Sequence, residues 1–221
     1  MSTGAVIVAA GRSERMGGAD KLLAPLAGRP VIAYSLAVFA RHPRIDRLVV
    51  VASAANESAI REIAGAEAPQ ATVVLGGQRR RDSVRAGLDL LEGCEYVVIH
   101  DGARPLVTPE LIDAALDGAR ETGAALCAVP VSDTVKRSRG GGLVSGTVRR
   151  DELWLAQTPQ AFRRNLLLRA HSSFDIDATD DAALVELLEW PVKLVRGSRR
   201  NVKVTAPEDL ALAAALLASR D

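Results

Sequence analysis

Five short apolar runs, Ala5–Ala10, Arg47–Ala52, Thr72–Leu75, Tyr96–His100 and Ala124–Val129, recur along the chain with helix-like stretches between them. This alternation restricts the fold more than any other feature. Each run is too short for a helix, rich in Val, Ile, Leu or Ala, and closed by a turn-forming residue. Between them, Val31–Ala40 carries apolar residues at helical spacing behind Pro30, and Asn56 is placed to cap a helix to about Gly65. Asp82 or Ser83 can open a helix that puts Val84, Leu88 and Leu91 on one face. Thr108-Pro109-Glu110 supplies an N-cap, an N1 proline and a first-turn acid for a helix to about Arg120. Repeated strand-helix units imply an α/β, Rossmann-like, mostly parallel sheet with helices on both faces. At 221 residues the chain suits one domain, residues 1–221, with a core large enough to need no staple.

The alternation breaks at Pro130. Thr134–Lys136, Leu143–Val148 and Leu153–Ala156 are short β-like pieces separated by Gly140-Gly141-Gly142 and a charged patch. We read residues of about 131–161 as a protruding β-arm whose Val, Leu and Trp154 require a partner surface, and expect a homodimer through it. Beyond it come helices after Phe162 and after Thr179, a strand near Val192–Val195 and a last helix from Ala206, where Thr205-Ala206-Pro207-Glu208 has the form of a capping box.

Charge and composition exclude several classes. A net charge of +1 and seven aromatic residues give little basis for binding nucleic acid. The basic runs Arg79-Arg80-Arg81, Lys136–Arg139 and Arg196–Lys203 are either solvated faces or converge on one anionic ligand. Cys94 and Cys127 lack metal or redox spacing and read as core residues of a reducing compartment. Neither a leader nor a membrane span is evident, so we expect a cytoplasmic protein with no membrane partner.

The first apolar run feeds a loop carrying Gly11, Gly17, Gly18, Arg12, Arg15 and Lys21. Small residues at Ala9, Ala10 and Gly11 let the backbone approach a ligand with its N–H groups turned toward negative charge, while Arg15 and Lys21 add cations. Phosphate is the natural occupant; an ordinary surface turn is the alternative for this stretch alone. It is no Walker loop, because Lys21 is followed by Leu22 and no glycine directly precedes it. It is no dinucleotide fingerprint either, since the glycines are misplaced and the second run ends in Ala52-Ser53 with no acid. In an open parallel sheet the ligand crevice lies beyond the strands' carboxyl ends. Gly11–Lys21, Gly76–Ser83 and His100–Pro105 all stand there. Asp101 beside a glycine suits a magnesium ion or a ribose hydroxyl, and Arg104 suits a phosphate; a turn capped by an Asp would use the same residues.

The VAAG of Val8–Gly11, with Arg15-Met16 and Lys21, resembles the nucleotide loop of transferases that attach a nucleoside monophosphate to sugar or polyol phosphates. HDGARP at His100–Pro105, SDTVK at Ser132–Lys136, QTPQAF at Gln157–Phe162, TDDA at Thr179–Ala182 and NVKVT at Asn201–Thr205 together resemble the 2-C-methyl-D-erythritol 4-phosphate cytidylyltransferase (IspD) family, in its order and over nearly the whole chain. The resemblance implies CTP as donor, methylerythritol phosphate as acceptor, Mg2+ as cofactor and pyrophosphate as second product, in the non-mevalonate isoprenoid pathway. By the same resemblance Arg15 and Lys21 stabilise the transition state and the departing pyrophosphate, and Arg150 and Lys203 hold the acceptor phosphate, Arg150 across a dimer interface. Thr134, Thr158, Thr179 and Arg104 are further substrate contacts, Asp101 faces ribose or metal, and Ala10, Gly77 and Ser83 read the cytosine, with Gly11 bringing backbone to the phosphates.

The pattern is departed from in places. The segment between Arg15 and Lys21 is one residue shorter than is usual in the family, with Asp20 where a proline is common, so RMGGADK also resembles the molybdenum-cofactor nucleotidyltransferases. Arg149 replaces an acid, and Gly102 an alanine. Ribitol-phosphate cytidylyltransferases share much of the late motif set. QTPQ, TDDA and NVKVT favour either cytidylyltransferase over the molybdopterin enzymes. A catalytically silent nucleotide-binding scaffold would have shed Arg15, Lys21, Asp101, Arg150 and Lys203, all of which are present.

Overall fold

Strands buried on both faces have no polar side, and the chain's apolar runs obey this. β1 (Thr3–Ala9), β4 (Arg47–Ala52) and β6 (Tyr96–Asp101) are buried almost end to end and read as continuous Val, Ile and Ala rather than alternating. The computed structural model describes residues 2–11 and 20–219. In chain order the remaining elements are β2 (Pro25–Leu26), β3 (Arg29–Pro30), α1 (Val31–Arg41), α2 (Glu57–Glu67), β5 (Thr72–Leu75), α3 (Arg80–Asp89), α4 (Pro109–Thr122) and β7 (Ala124–Pro130). There follow β8 (Val135–Ser138), β9 (Val144–Val148), β10 (Trp154–Arg163), α5 (Arg164–Ser173), α6 (Asp181–Glu186), β11 (Lys193–Arg196) and α7 (Pro207–Ala218).

The main sheet has the order β11-β7-β10-β6-β1-β4-β5, parallel throughout except that β10 runs antiparallel to both its neighbours. Successive strand residues serve opposite faces. Ile7, Val50 and Val98 pack on one side with Ile32, Leu36 and Phe39 of α1, Ile60 of α2 and Ile112 of α4. Val6, Val49 and Val97 pack on the other with Val84 and Leu88 of α3, Leu167 of α5 and Leu184 of α6. Gly87 lets α3 lie close on the sheet: a Cβ there would stand 2.6 Å from Val6 Cγ1. The register sets Ala9 beside Ala52, Ala52 beside Leu75 and Val8 beside Asp101, so four strand ends finish at one edge.

Three expectations shift. The arm is narrower than residues 131–161: β8 and β9 form a separate two-stranded sheet, but β10 belongs to the main one. Gln157–Phe162 is buried between β6 and β7, and its glutamines are satisfied by other polar groups, so its sequence hides a central strand behind polar letters. α3 begins at Arg80, two residues before the expected opening, with Asp82 at the third helical position accepting from Arg79 N at 3.2 Å. The box of α7 is likewise displaced by one: Asp209, not Glu208, accepts from the backbone of Thr205 and Ala206.

Candidate active site

At the common strand edge lies a cavity of about 850 Å3 lined by the tip of β1, the turn after β5 and the first turn of α3. Ala10, Gly11, Lys21, Gly77, Ser83, Asp101 and Lys203 all border it. Its floor leaves no room for side chains: a Cβ on Gly76 would meet Ser83 Oγ at 2.5 Å and Ala10 Cβ at 2.8 Å. The approach of these backbones suits a flat polar ring read by fixed donors and acceptors.

Lys21 enters this cavity from a turn anchored by Asp20. Asp20 Oδ1 accepts from Leu22 N at 2.9 Å, and its Oδ2 accepts from Asn56 Nδ2 at 2.7 Å. Asn56 is buried and stands, as expected, at the N-cap of α2, but its side chain makes no capping hydrogen bond there. Its side chain instead donates also to Ala9 O and accepts from Ser53 N, tying the ends of β1 and β4 to the turn that carries Lys21. Arg15, the other loop cation of the sequence reading, lies outside the described residues.

A smaller cavity of about 220 Å3 adjoins, bordered by Arg104, Gln157, Thr158, Gln160, Thr179 and Asp180. Arg80, Asp101 and Lys203 line both cavities. Asp101, at the end of β6, is 13% exposed; its Oδ2 is 2.7 Å from Lys203 Nζ and 3.7 Å from Arg104 Nε, and its Oδ1 is 3.8 Å from Arg80 Nη2. Burial alone would raise this carboxyl, but Lys203, then Arg80 and Arg104, hold it well below the usual carboxylate range. It is therefore an anion throughout the neutral range, embedded in an excess of cations, and the surplus suits incoming phosphates.

The strand tip is braced from beneath. Asp101 N donates to Thr158 Oγ1 at 3.0 Å, and that hydroxyl lies 3.1 Å from His100 Nδ1. His100 is fully buried, and burial lowers it to about 3, so it is neutral; with Nε2–H donating to Arg104 O at 3.3 Å, Nδ1 accepts the Thr158 hydroxyl. Thr158 thus borders the smaller cavity with its hydroxyl already engaged in holding Asp101. Arg104 Nη1 in turn donates to Asn201 O at 2.8 Å, and Asn201 Nδ2 to Thr158 O, which fixes the NVKVT segment and Lys203 against the same tip.

Two sequence candidates fall elsewhere. Thr134 and Arg150 are exposed on the arm and border neither cavity; Arg150 donates to Ser132 O within the arm itself. Two residues were not singled out within their sequence segments: Arg80, inside a run of three arginines, and Asp181 of TDDA, which pairs with it at 2.7 Å. Their only signal was an acid in TDDA and a basic run after paired glycines, too common to choose between them.

A magnesium ion would need oxygen donors at this junction. No group of three or more His, Cys, Asp or Glu side chains able to hold a metal occurs among the described residues. Asp101 offers one carboxylate to both cavities, which fits an ion completed by substrate phosphates and water. Covalent catalysis by the thiols has no support: Cys94 and Cys127 are buried, and burial pushes Cys127 up to about 12. No described helix is long and apolar enough to cross a membrane.

The profile of the IspD family, 2-C-methyl-D-erythritol 4-phosphate cytidylyltransferase, matches residues 3–219. A protein of that name from Dehalococcoides mccartyi is 46% identical over 216 residues, which cover 97% of this chain and 95% of the relative. Another from Geobacillus kaustophilus is 42% identical over all of this chain and 99% of its own. Among solved structures, the 4-diphosphocytidyl-2C-methyl-D-erythritol synthase of Anaerococcus prevotii superposes with a TM-score of 0.86 at 31% identity over 98% of both chains. The Thermus thermophilus cytidylyltransferase superposes with 0.81 at 33% identity, covering 99% of this chain and 100% of that one. With the family profile, the relatives and the fold in agreement over nearly its whole length, the chain belongs to the 2-C-methyl-D-erythritol 4-phosphate cytidylyltransferase family.

Proposed function

We propose that the protein transfers a cytidylyl group from CTP to 2-C-methyl-D-erythritol 4-phosphate, releasing pyrophosphate and forming the CDP-alcohol of the non-mevalonate isoprenoid pathway. The observation that carries this reading is the pair of adjoining cavities with one shared wall of Arg80, Asp101 and Lys203. The larger has a glycine-floored end for a pyrimidine, and the smaller is cationic and sized for a phosphomonoester.

In the reaction an oxygen of the acceptor phosphate forms a bond to the α-phosphorus while the bond from that phosphorus to the bridging oxygen of the β-phosphate breaks. Two anions must meet, so the protein's contribution is alignment and charge, with no side-chain nucleophile. Ala10, Gly77 and Ser83 hold the cytosine and Gly11 approaches the phosphates. Lys21, with Arg15, takes the charge that grows on the departing pyrophosphate. Lys203 and Arg104 draw the acceptor phosphate into the smaller cavity beside Thr179. Asp101 would hold Mg2+, which supplies charge neutralisation on the phosphate oxygens when bound.

The arm completes the proposal. Leu143 and Val144 are 70% and 63% exposed at the hairpin, and Arg150 and Thr134 border neither of the two adjoining cavities. A homodimer whose arm docks on the partner gives those apolar residues a surface and brings Arg150 and Thr134 to the neighbouring acceptor site. Buried, free cysteines suit a reducing cytoplasm.

Pyrophosphate release with CTP and magnesium tests the assignment, with methylerythritol 4-phosphate and ribitol 5-phosphate offered in parallel and GTP as the nucleotide control. Release with methylerythritol phosphate and CTP is expected. Release with ribitol phosphate alone would reassign the acceptor, and release with neither would overturn the reading.

A further inference from the structure

Arg80 is the first residue of α3, three residues after Gly77, and its side chain is 27% exposed. Nη1 pairs with Asp181 Oδ2 at 2.7 Å, and Nη2 stands 3.8 Å from Asp101 Oδ1. Asp181 is 1% exposed, and its second oxygen lies 3.2 Å from Nε2 of His171, which is equally buried. A carboxylate this deep requires a partner, because removing one member of a buried pair leaves an uncompensated charge. The guanidinium is therefore held from behind at one nitrogen. Arg80 lines the larger cavity and the smaller one together, as does Lys203. That is where an acceptor phosphate and a nucleotide α-phosphate have to converge.

We propose that Arg80 is a further substrate-contacting cation, meeting the phosphates at the junction of the two cavities, and that Asp181 and His171 are positioning residues that hold it there. The proposal rests on the cytidylyl-transfer reading for the identity of the phosphates. An arginine is needed because one planar group must hold a carboxylate on one edge and present donors on the other; a lysine carries the charge without the second edge. Arg80 donates hydrogen bonds and takes part in no covalent step.

Two measurements test this on the full chain: turnover of CTP with methylerythritol phosphate, and calorimetric binding of inorganic pyrophosphate, which needs no activity. Arg80→Gln is expected to lower kcat/KM by about 100-fold, as for loss of one preorganised donor to a transition-state oxyanion. It should weaken pyrophosphate binding by about tenfold, as for one charge-assisted hydrogen bond. Arg80→Lys should recover only part of either loss, and Asp181→Asn should fall between wild type and Arg80→Gln. Should Arg80→Gln fail to fold with Asp181 unpaired, the neutral double variant Arg80→Gln/Asp181→Asn takes its place and should be as impaired. A merely structural pair would lower Tm and leave kcat of the folded variant alone. Turnover and pyrophosphate affinity both within threefold of wild type, in either folded variant, would overturn the proposal. A wild type that binds pyrophosphate through Arg80 yet turns over no acceptor would refute the cytidylyl reading and leave Arg80 as the anion contact.

Discussion

The buried histidine under the tip of β6 makes stability depend on pH in a direction fixed by its environment. His100 is enclosed by Phe39, whose ring centroid is 5.0 Å away, by Thr158 and by the Arg104 backbone. Burial lowers it to about 3, assisted by the positive charges of Arg104 and Lys203 and opposed by Asp101. In the unfolded chain it titrates near about 6.5. Between those values the unfolded state binds the proton and the native state does not, so stability present above pH 6.5 is lost as pH falls toward 3. At pH 5 the loss is RT ln(1 + 10^1.5), about 2 kcal/mol, against about 0.2 kcal/mol at pH 7. Urea unfolding of wild type and His100→Gln at both pH values isolates this contribution. Gln keeps a donor for Arg104 O, and Asp101 cancels because it is ionised at both. The variant's destabilisation should be smaller at pH 5 than at pH 7 by about 2 kcal/mol. Destabilisation equal at the two pH values would refute the claim that the histidine is held neutral.

Other predictions follow from the same geometry. Under the proposed arm-docked homodimer, mixing Lys21→Ala with Arg150→Ala under subunit exchange should restore about a quarter of wild-type activity, because half the dimers would be mixed and each would have one intact site; no recovery would overturn the placing of Arg150 in the partner's site. Gly76→Ala drives a Cβ into Ser83 Oγ and Ala10 Cβ, and should raise the KM for CTP while destabilising the fold by about 1–3 kcal/mol, read from initial rates and urea melts. Asp20→Ala removes the acceptor of Asn56 and Leu22 N; kcat should fall by about tenfold through Lys21, with KM for the acceptor little changed, as expected when one charge-assisted hydrogen bond stops orienting a catalytic cation. Asn56→Ala combined with it should add little to the loss of kcat, since both orient Lys21 through the Asp20–Asn56 contact, but should destabilise the fold further because Ala9 O and Ser53 N lose their partner, read from urea melts.

The residues that were legible in the sequence share one property: their role is set by neighbours along the chain. β1, β4 and β6 are continuous apolar runs because both sheet faces are covered, and the glycines at 76 and 77 mark a backbone approach that any side chain would block. What escaped was set by partners far away in sequence. Leu153–Ala156 was read as the third piece of an arm that ran on to about residue 161, yet the chain continues as β10 into the main sheet, where Gln160 Oε1 accepts from Ala182 N and Gln157 Oε1 from Ser198 N, which lets amides occupy a central strand. Thr158 was read from its motif as a substrate contact; it borders the smaller cavity, and its hydroxyl also spans His100 and Asp101 N, a bracing role that the motif did not show.

Arg79, Arg80 and Arg81 show the limit most clearly, since a basic run was read either as one solvated face or as one converging anion site. Each step at the start of a helix turns the side chain by about 100°, so three identical neighbours cannot share an environment. Arg79 turns to Asp82 and Asp175, Arg81 to the carbonyl oxygens of His171 and Phe174, and Arg80 alone reaches Asp181 and the cavity junction. The selection is made by a carboxylate 101 residues downstream (181 − 80) on another helix. If that account holds, exchanging Arg79 or Arg81 for Gln should leave turnover close to wild type while Arg80→Gln does not, and three equal losses would return the run to a diffuse patch of positive charge.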